Sequence, residues 1–493
     1  MSEESVQGQW GISEYPNVKE IYEKIDKLMA LPVQTIRRDA MESYLKYFET
    51  NCAKSKELIQ EAKQYIPGGV QHNLAFNYPF PIVITKAEGA YLWDIDGNKY
   101  IDFLQAGGPT ILGSNYAPIR EKVIELLQTC GPVTGLFHEY ELKLAKEINK
   151  HMPAVEMFRM LGSGTESDMA ALRIARIATG HKKVIKMGGA YHGWSDQLVY
   201  GLHIPGTRGF EAHGIPWGCR EHTQEVYPND IKALESKLKW NKLRDGTAAV
   251  LVEPVGPESG TRPVDKEYNK QVRELCDQYG ALLIFDEVVT GFRVGLGGAQ
   301  GYFGVKPDLT IFGKIIAGGY PAAGGVGGKK EYISLCAAGV EAGKKRAYVG
   351  GTLSANPLSC VAGYYCIKEI ERTNACVKAG RAGDRLTKGL QDIIERYNLP
   401  FVAYNTGSIC HLETAAAMMI KLKLIKILKQ MKEVKHRKHV MEEMGCAYMA
   451  EGIITLAGSR LYTSMADTDD IIDDALVRFE RVLKNTEVKT SEK

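Results

Sequence analysis

Four short apolar runs punctuate the middle of the chain: "KVIKM" at residue 183, "AAVLVEP" at 248, "ALLIFDEV" at 281 and "LTIFGK" at 309. None alternates strictly between apolar and polar residues. Each therefore predicts a strand buried on both faces, and the helical stretches between them predict parallel crossovers. From about Gly108 to Leu335 the pattern predicts a mostly parallel sheet covered by helices, an α/β architecture. Functional groups in such sheets gather at the carboxyl ends of strands. Asp286 and Lys314 each end one of these runs.

The flanks read differently. "VKEIYEKIDKLM" places Ile21, Ile25, Leu28 and Met29 on one helical stripe, and "ELIQEAKQYIPGG" predicts a helix stopped by Pro67-Gly68-Gly69. "PIVITKAEGAYLWDIDGNKYIDFL" predicts strands with a hairpin turn at Asp96-Gly97. Beyond Asn356 the pattern suggests a smaller α+β domain. In it, "AAAMMIKLKLIKILKQMKEVKHRKHVMEEMG" reads as a long basic amphipathic helix or helix pair, and "NTEVKTSEK" as a frayed tail. The predicted division is 1–65, a helical extension; 66–107, a strand segment joining the small domain; 108–355, the large domain; and 356–493, the small domain. The extension is expected to be either an arm on a partner subunit or a cap shaping access.

Composition narrows the class. A chain of 493 residues suggests two or three structural units. Its hydrophobic share of 44% and charged share of 25% are ordinary for a globular protein. A formal net charge of +3 argues against a general nucleic-acid binder. Ten cysteines without a CxxC pair or metal-ligand spacing predict reduced, buried thiols and no metal. The polar N-terminus is no signal peptide, and no apolar run approaches membrane-spanning length. A cytoplasmic location is the expectation.

Candidate chemistry centres on Lys314, 28 positions after Asp286 and inside "GKIIAGGYPAAGGVGG". A strand-end acid followed by a strand-end lysine in a glycine-rich loop suits pyridoxal phosphate. The lysine would form a Schiff base with its aldehyde, and the acid would keep its pyridine nitrogen protonated. Ser163-Gly164-Thr165 opens a predicted helix, which on residues alone suits either an ordinary N-cap or an anion cradle.

"DEVVTGFRVGLGGAQGYFGVKPDLTIFGKIIAGGYP" closely resembles the class III (ω-type) aminotransferases of the fold-type I pyridoxal-phosphate superfamily, and most of all the glutamate-1-semialdehyde aminomutase branch. "IPGGV", "LGSGTESDMAALRIAR", "GGAYHGWSD", "LVEPVG" and "GGTLSANPLS" follow in family order, so the resemblance covers about Ile66 to Asp473. It implies that Ser163, Gly164 and Thr165 hold the cofactor phosphate and that Tyr191 stacks on the ring, with His192 in support. It also implies that Val288 touches the other ring face and that Glu253 lies near the cofactor. Gly351 and Thr352 would reach the phosphate of a neighbouring subunit, which implies a homodimer with shared active sites. The catalytic set is Lys314, Asp286 and Tyr191.

The chain departs from the branch in three places. Aminomutases usually read "PGGVNSPVRAF", with an arginine for a substrate carboxylate, and this chain reads "PGGVQHNLAF". The branch's gating glutamate falls at Ser459 or Arg460, and Ala355 stands where glycine is common. Keeping the cofactor groups while losing two substrate-handling groups suggests amino transfer from a β- or ω-amino donor, a 3-aminoacyl-CoA thioester among the candidates. The acceptor would be a 2-oxo acid such as 2-oxoglutarate, with its carboxylate on Arg460. Arg208, Arg262 and Arg346 are alternative carboxylate partners. The competing expectation is intramolecular amine transfer, as in glutamate-1-semialdehyde 2,1-aminomutase.

Overall fold

The computed structural model describes residues 10–131, 133–207, 212–422 and 427–489. Arg208 therefore lies outside the described residues. The chain divides into two compact units, the first built on Ala117–Val377 with Trp10, the second on Gly11–Tyr116, Lys378–Ile420 and the segment from residue 427.

The first unit is organised by seven strands: β1 (Met157–Leu161), β2 (Lys183–Met187), β3 (Thr223–Val226), β4 (Thr247–Val252), β5 (Leu282–Asp286), β6 (Leu309–Gly313) and β7 (Gly324–Gly328). Their order is β1-β7-β6-β5-β4-β2-β3. The pairs from β6 to β3 are parallel, and β7 runs antiparallel to both β6 and β1. Alternate residues feed opposite faces. Leu251, Ile284 and Ile311 pack with Ala171 and Ile174 of helix α1 (Gly164–Thr179). Val250, Leu283 and Phe285 pack with Leu234, Val272 and Cys276. The continuous apolar runs thus mark strands with two covered faces, as the sequence pattern predicts.

β1, β3 and β7 lie outside the four apolar runs, and β7, "GGVGG", reads as a loop. Its glycines are required by its neighbours. A Cβ on Gly324 would lie 2.3 Å from the Ser163 carbonyl oxygen, and one on Gly325 would lie 2.3 Å from the Phe158 ring. Gly324→Ala should therefore push Ser163 away from the start of α1. We expect about 3 kcal/mol of destabilisation in urea unfolding together with weaker cofactor retention.

The boundary expected at 355/356 falls later. Helix α2 (Pro357–Thr373) packs on helices Ala117–Thr129 and Glu139–His151 and on the Lys314–Ala317 turn, so it belongs to the first unit. A Cβ on Gly363 would sit 2.0 Å from the Ile316 carbonyl oxygen. The Ser359 hydroxyl donates to the Pro321 carbonyl at 2.6 Å. Helix α2 thereby buttresses the turn that carries Lys314.

The second unit holds a four-stranded sheet (Ile84–Glu88, Tyr91–Asp94, Lys99–Asp102, Ile453–Ile454) and a three-stranded sheet (Val402–Thr406, Ile409–Glu413, Arg460–Tyr462). The N-terminal helices Val18–Ala30, Arg38–Asn51 and Ala53–Ala62 form as predicted. Ile21, Ile25 and Leu28 sit in one core with Phe103, Leu386 and Phe479, because a stripe this apolar must be covered.

Two C-terminal expectations change. The long helix is described only over Ile427–Ala450, and Ala417–Met419 forms a buried 3-10 turn. The start of the tail is paired: Thr486–Glu487 forms an antiparallel ladder with Thr35–Ile36. Among the described residues no helix is long and apolar enough to cross a membrane.

Candidate active site

Lys314 follows β6 directly and has φ +49°, a left-handed conformation that non-glycine residues avoid. Such strain persists only where the surroundings enforce it, and it clusters at functional sites. Here the enforcing element is α2, packed against the turn.

Asp286 ends β5 and is buried, with 5% exposure. Its Oδ2 lies 2.7 Å from His192 Nδ1, and its Oδ1 accepts the Val288 N–H at 3.0 Å. Burial lowers the His192 pKa and Asp286 opposes that shift, so the imidazole is read as neutral. A neutral imidazole donating from Nδ1 leaves the Asp286 carboxylate ionised and available to a further cation.

The helix start lies beside this pair. The Ser163 hydroxyl accepts the Glu166 N–H at 3.2 Å, an N-cap bond. The N–H groups at the first turn of α1 have no partner within the helix. A Cβ on Gly193, in "YHG", would lie 2.2 Å from Thr165 Oγ1, so these two elements touch. The Val288 methyls lie 3.1 Å from where a Gly164 Cβ would stand and 2.8 Å from the Gly313 equivalent. Val288 thus bridges the helix start and the residue preceding Lys314. Tyr191 is 46% exposed, a side chain with a free face, whereas His192 beside it is buried.

Glu253, expected near the cofactor, is tied to backbone groups. Its Oε1 accepts the Tyr191 and Glu258 N–H groups at 3.0 and 2.9 Å, and its Oε2 accepts that of Ser259. Burial, then the charge of Asp286, pushes its pKa up to about 8. Glu253 holds the backbone under Tyr191.

Gly351 and Thr352 are exposed, in the loop before the Asn356 cap of α2. A Cβ on Gly351 would lie 3.6 Å from Glu166 Oε2, at the same helix start. Ala355 adopts φ +56°, which explains why glycine suits that position. Arg460 lies in the second unit, on a strand facing His411. Of the alternative arginines, Arg262 is buried, and Arg346 lies over the Tyr348 ring at 5.0 Å.

Sequence reasoning missed two groups. Lys186 is fully buried in β2 and donates to the carbonyls of Ala190, Leu198 and Tyr200 at 3.1, 2.9 and 2.8 Å. It fixes the turn carrying Tyr191 and His192. Asp168 points inward from α1 with 1% exposure. Both were visible as charges inside apolar patterns: a lysine within "KVIKM", and an acid one turn before Ala171 and Leu172.

These residues fit pyridoxal phosphate. A buried carboxylate with only a neutral partner suits a pyridinium. A helix start lined by glycines suits a phosphate, and a strained strand-end lysine suits a covalent link.

Comparison with known proteins agrees. The family model for class-III aminotransferases matches residues 74–435. Glutamate-1-semialdehyde 2,1-aminomutase 1 of Lachnoclostridium phytofermentans is 41% identical over 364 residues, covering 72% of this chain and 83% of that protein. The aminomutase of Legionella pneumophila strain Corby is also 41% identical, over 72% and 82%. Among solved structures, an omega-transaminase from Sphaerobacter thermophilus superposes with TM-score 0.77 at 28% identity, covering 87% and 97%. A beta-phenylalanine aminotransferase from Variovorax paradoxus gives 0.76 at 25%, covering 90% and 96%. With the site geometry, these matches establish that the chain belongs to the class-III aminotransferases, fold-type I enzymes of the transaminase type whose cofactor is pyridoxal 5′-phosphate.

Proposed function

We propose that this enzyme moves an amino group from a β- or ω-amino donor to a 2-oxo acid. The observation that carries the reading is the chain's own substrate-side sequence. Where aminomutases place an arginine, Asn73–Ala75 forms a 3-10 turn capped by His72 Nδ1, which accepts the Leu74 N–H at 3.1 Å. Leu74 turns to Gly107, and the Phe76 ring occupies the space above Gly68. Leu74 and Phe76 are exposed apolar side chains where the branch has a cation, so a donor carboxylate finds no charge-assisted partner at these positions.

Bound pyridoxal phosphate supplies the electron sink for the carbon that loses its proton. The chain does the rest. Asp286 would hold negative charge beside the pyridine nitrogen, Tyr191 and Val288 would flank the ring, and the start of α1 would receive the phosphate. Lys314 Nζ takes a proton from the substrate carbon and returns it. We assign Arg460 to the acceptor's carboxylate, for which a guanidinium fork is suited.

A second reading, intramolecular transfer as in glutamate-1-semialdehyde 2,1-aminomutase, is favoured by the 41% identity to proteins of that name. One assay separates the two. Glutamate 1-semialdehyde supplied alone should give no efficient production of 5-aminolevulinate, while a β-amino donor with 2-oxoglutarate should turn over. Efficient conversion of the semialdehyde without an acceptor would establish the second reading and remove the first.

The match of Gly351-Thr352 to a family motif that reaches a neighbouring subunit's phosphate supports a homodimer with shared sites. Sedimentation should give twice 54.5 kDa or a multiple. An active monomer at assay concentration would refute it.

A further inference from the structure

Asp286 is one of four carboxyls buried in the first unit with a single buried ammonium. Asp168, Glu253, Glu258 and Asp286 are exposed by 1%, 6%, 5% and 5%, and Lys186 by 0%. Four negative charges cannot all persist there against one cation whose N–H groups already serve three carbonyls. The hydrogen bonds show which carboxyl has least to hold its charge. Glu258 Oε1 pairs with His203 Nδ1 at 2.6 Å. Asp286 receives His192 Nδ1 and the Val288 N–H. Glu253 receives the N–H groups of Tyr191, Glu258 and Ser259. Asp168 Oδ1 is fully buried and has no hydrogen-bond partner among the described residues.

A second orphan belongs to the same cluster: His192 Nε2 is also buried without a partner among the described residues. A carboxylate oxygen of Asp168, a carboxylate oxygen of Asp286 and one ring nitrogen of His192 lie within 4.8 Å of one another. A neutral imidazole that donates from Nδ1 presents a lone pair at Nε2, and that lone pair calls for a donor. A protonated carboxyl is such a donor, and an ionised one is not.

We propose that Asp168 is a positioning residue for the Asp286–His192 pair: its carboxyl, carrying its proton, fills the donor place at His192 Nε2, directly or through one bound water, and so keeps the Nδ1 hydrogen on Asp286. Burial first, then the charges of Asp286 and Glu253, raise the Asp168 pKa, against the opposing effect of Lys186. Asp168 acts through His192 and does not itself touch the ring.

The groups facing Asp168 and His192 are Asp286 on β5, Glu253 and Glu258 after β4, Lys186 on β2 and the Tyr191 phenol. Any pH effect must be read against them, so the test uses variants at one position. The purified enzyme is labelled with 15N-histidine, and the His192 ring nitrogens are assigned by difference against His192→Asn. In a parallel measurement, the pH midpoint of the bound cofactor's absorbance is followed.

Asp168→Asn replaces the neutral acid by a neutral donor. It should keep the Nδ1–H tautomer and leave the midpoint within about 0.3 pH units. Asp168→Ala removes the donor, and its His192 signals should move toward a mixture of tautomers. A midpoint lowered by about one unit or more in Asp168→Asn would show that an ionised carboxylate had been removed, and would overturn the proposal. Unchanged His192 signals in Asp168→Ala would overturn it as well. Should Asp168→Ala fail to fold, the Asn variant alone still decides, because the neutral and ionised forms predict different midpoints. The nitrogen spectra do not depend on which amino donor the enzyme takes.

Discussion

Lys314→Ala should keep pyridoxal phosphate bound and lose turnover by about a thousandfold or more. The size is that of removing a general acid–base group from its reaction. Binding survives because the other contacts are elsewhere. The start of α1, Asp286, Val288 and Tyr191 are held by bonds that do not involve Lys314, among them His192 to Asp286 at 2.7 Å and Glu253 to the Tyr191 N–H at 3.0 Å. Alanine at position 314 must still adopt φ near +49°, since α2 fixes the turn. The fold should therefore be little changed in circular dichroism. Cofactor content after gel filtration and steady-state rate together check the prediction. A residual rate above about a thousandth of wild type would mean that another base moves the proton.

Asp286→Asn should lower the rate by about 10- to 1000-fold, because a close opposite charge holds a cation's pKa up by 1–3 units and each unit is tenfold. The amide keeps the shape and can still accept the Val288 N–H. It lacks the charge that stabilises a protonated ring nitrogen. Asp286→Glu keeps the charge on a longer stem, so it should retain more activity than the asparagine variant. Equal rates for Asp286→Asn and wild type would reduce Asp286 to a structural acceptor for His192. The absorbance of bound cofactor against pH gives an independent readout of the same charge.

Much of this was legible in the chain itself. The apolar runs ending in Asp286 and Lys314 predicted strands whose carboxyl ends meet, because a strand buried on both faces has no room for polar residues until it leaves the sheet. Ser163-Gly164-Thr165 and Tyr191-His192-Gly193 stood out as small or glycine-rich turns after strands, and the structure brings them into contact. β7 was illegible for a physical reason. Its identity as a strand rests on hydrogen bonds to β6 and β1, and its glycines answer to Ser163 and Phe158, residues far away in sequence. The N-terminal stripe at Ile21, Ile25 and Leu28 declared a helix but not its partners, since periodicity shows which face is buried and not against what. Glu253 carried a family expectation of nearness to the cofactor, which says nothing of its backbone partners. Only the fold shows that backbone N–H groups take both of its oxygens.

That arrangement at Glu253 has an evolutionary consequence. One carboxylate is tied to the backbone of Tyr191 on one side and to Glu258 and Ser259 on the other, and the latter two hold left-handed conformations with φ +47° and +51°. The two turns therefore share a single anchor, so substitutions in one are felt in the other. Variants at Tyr191 and Ser259 should show epistasis rather than additive effects, as residues sharing one hydrogen-bond network do. Selection for a new amino donor that reshapes the Tyr191 turn must then pass through compensating changes in the Glu258–Ser259 turn. Libraries that vary the two together should recover active enzymes that single-site libraries miss.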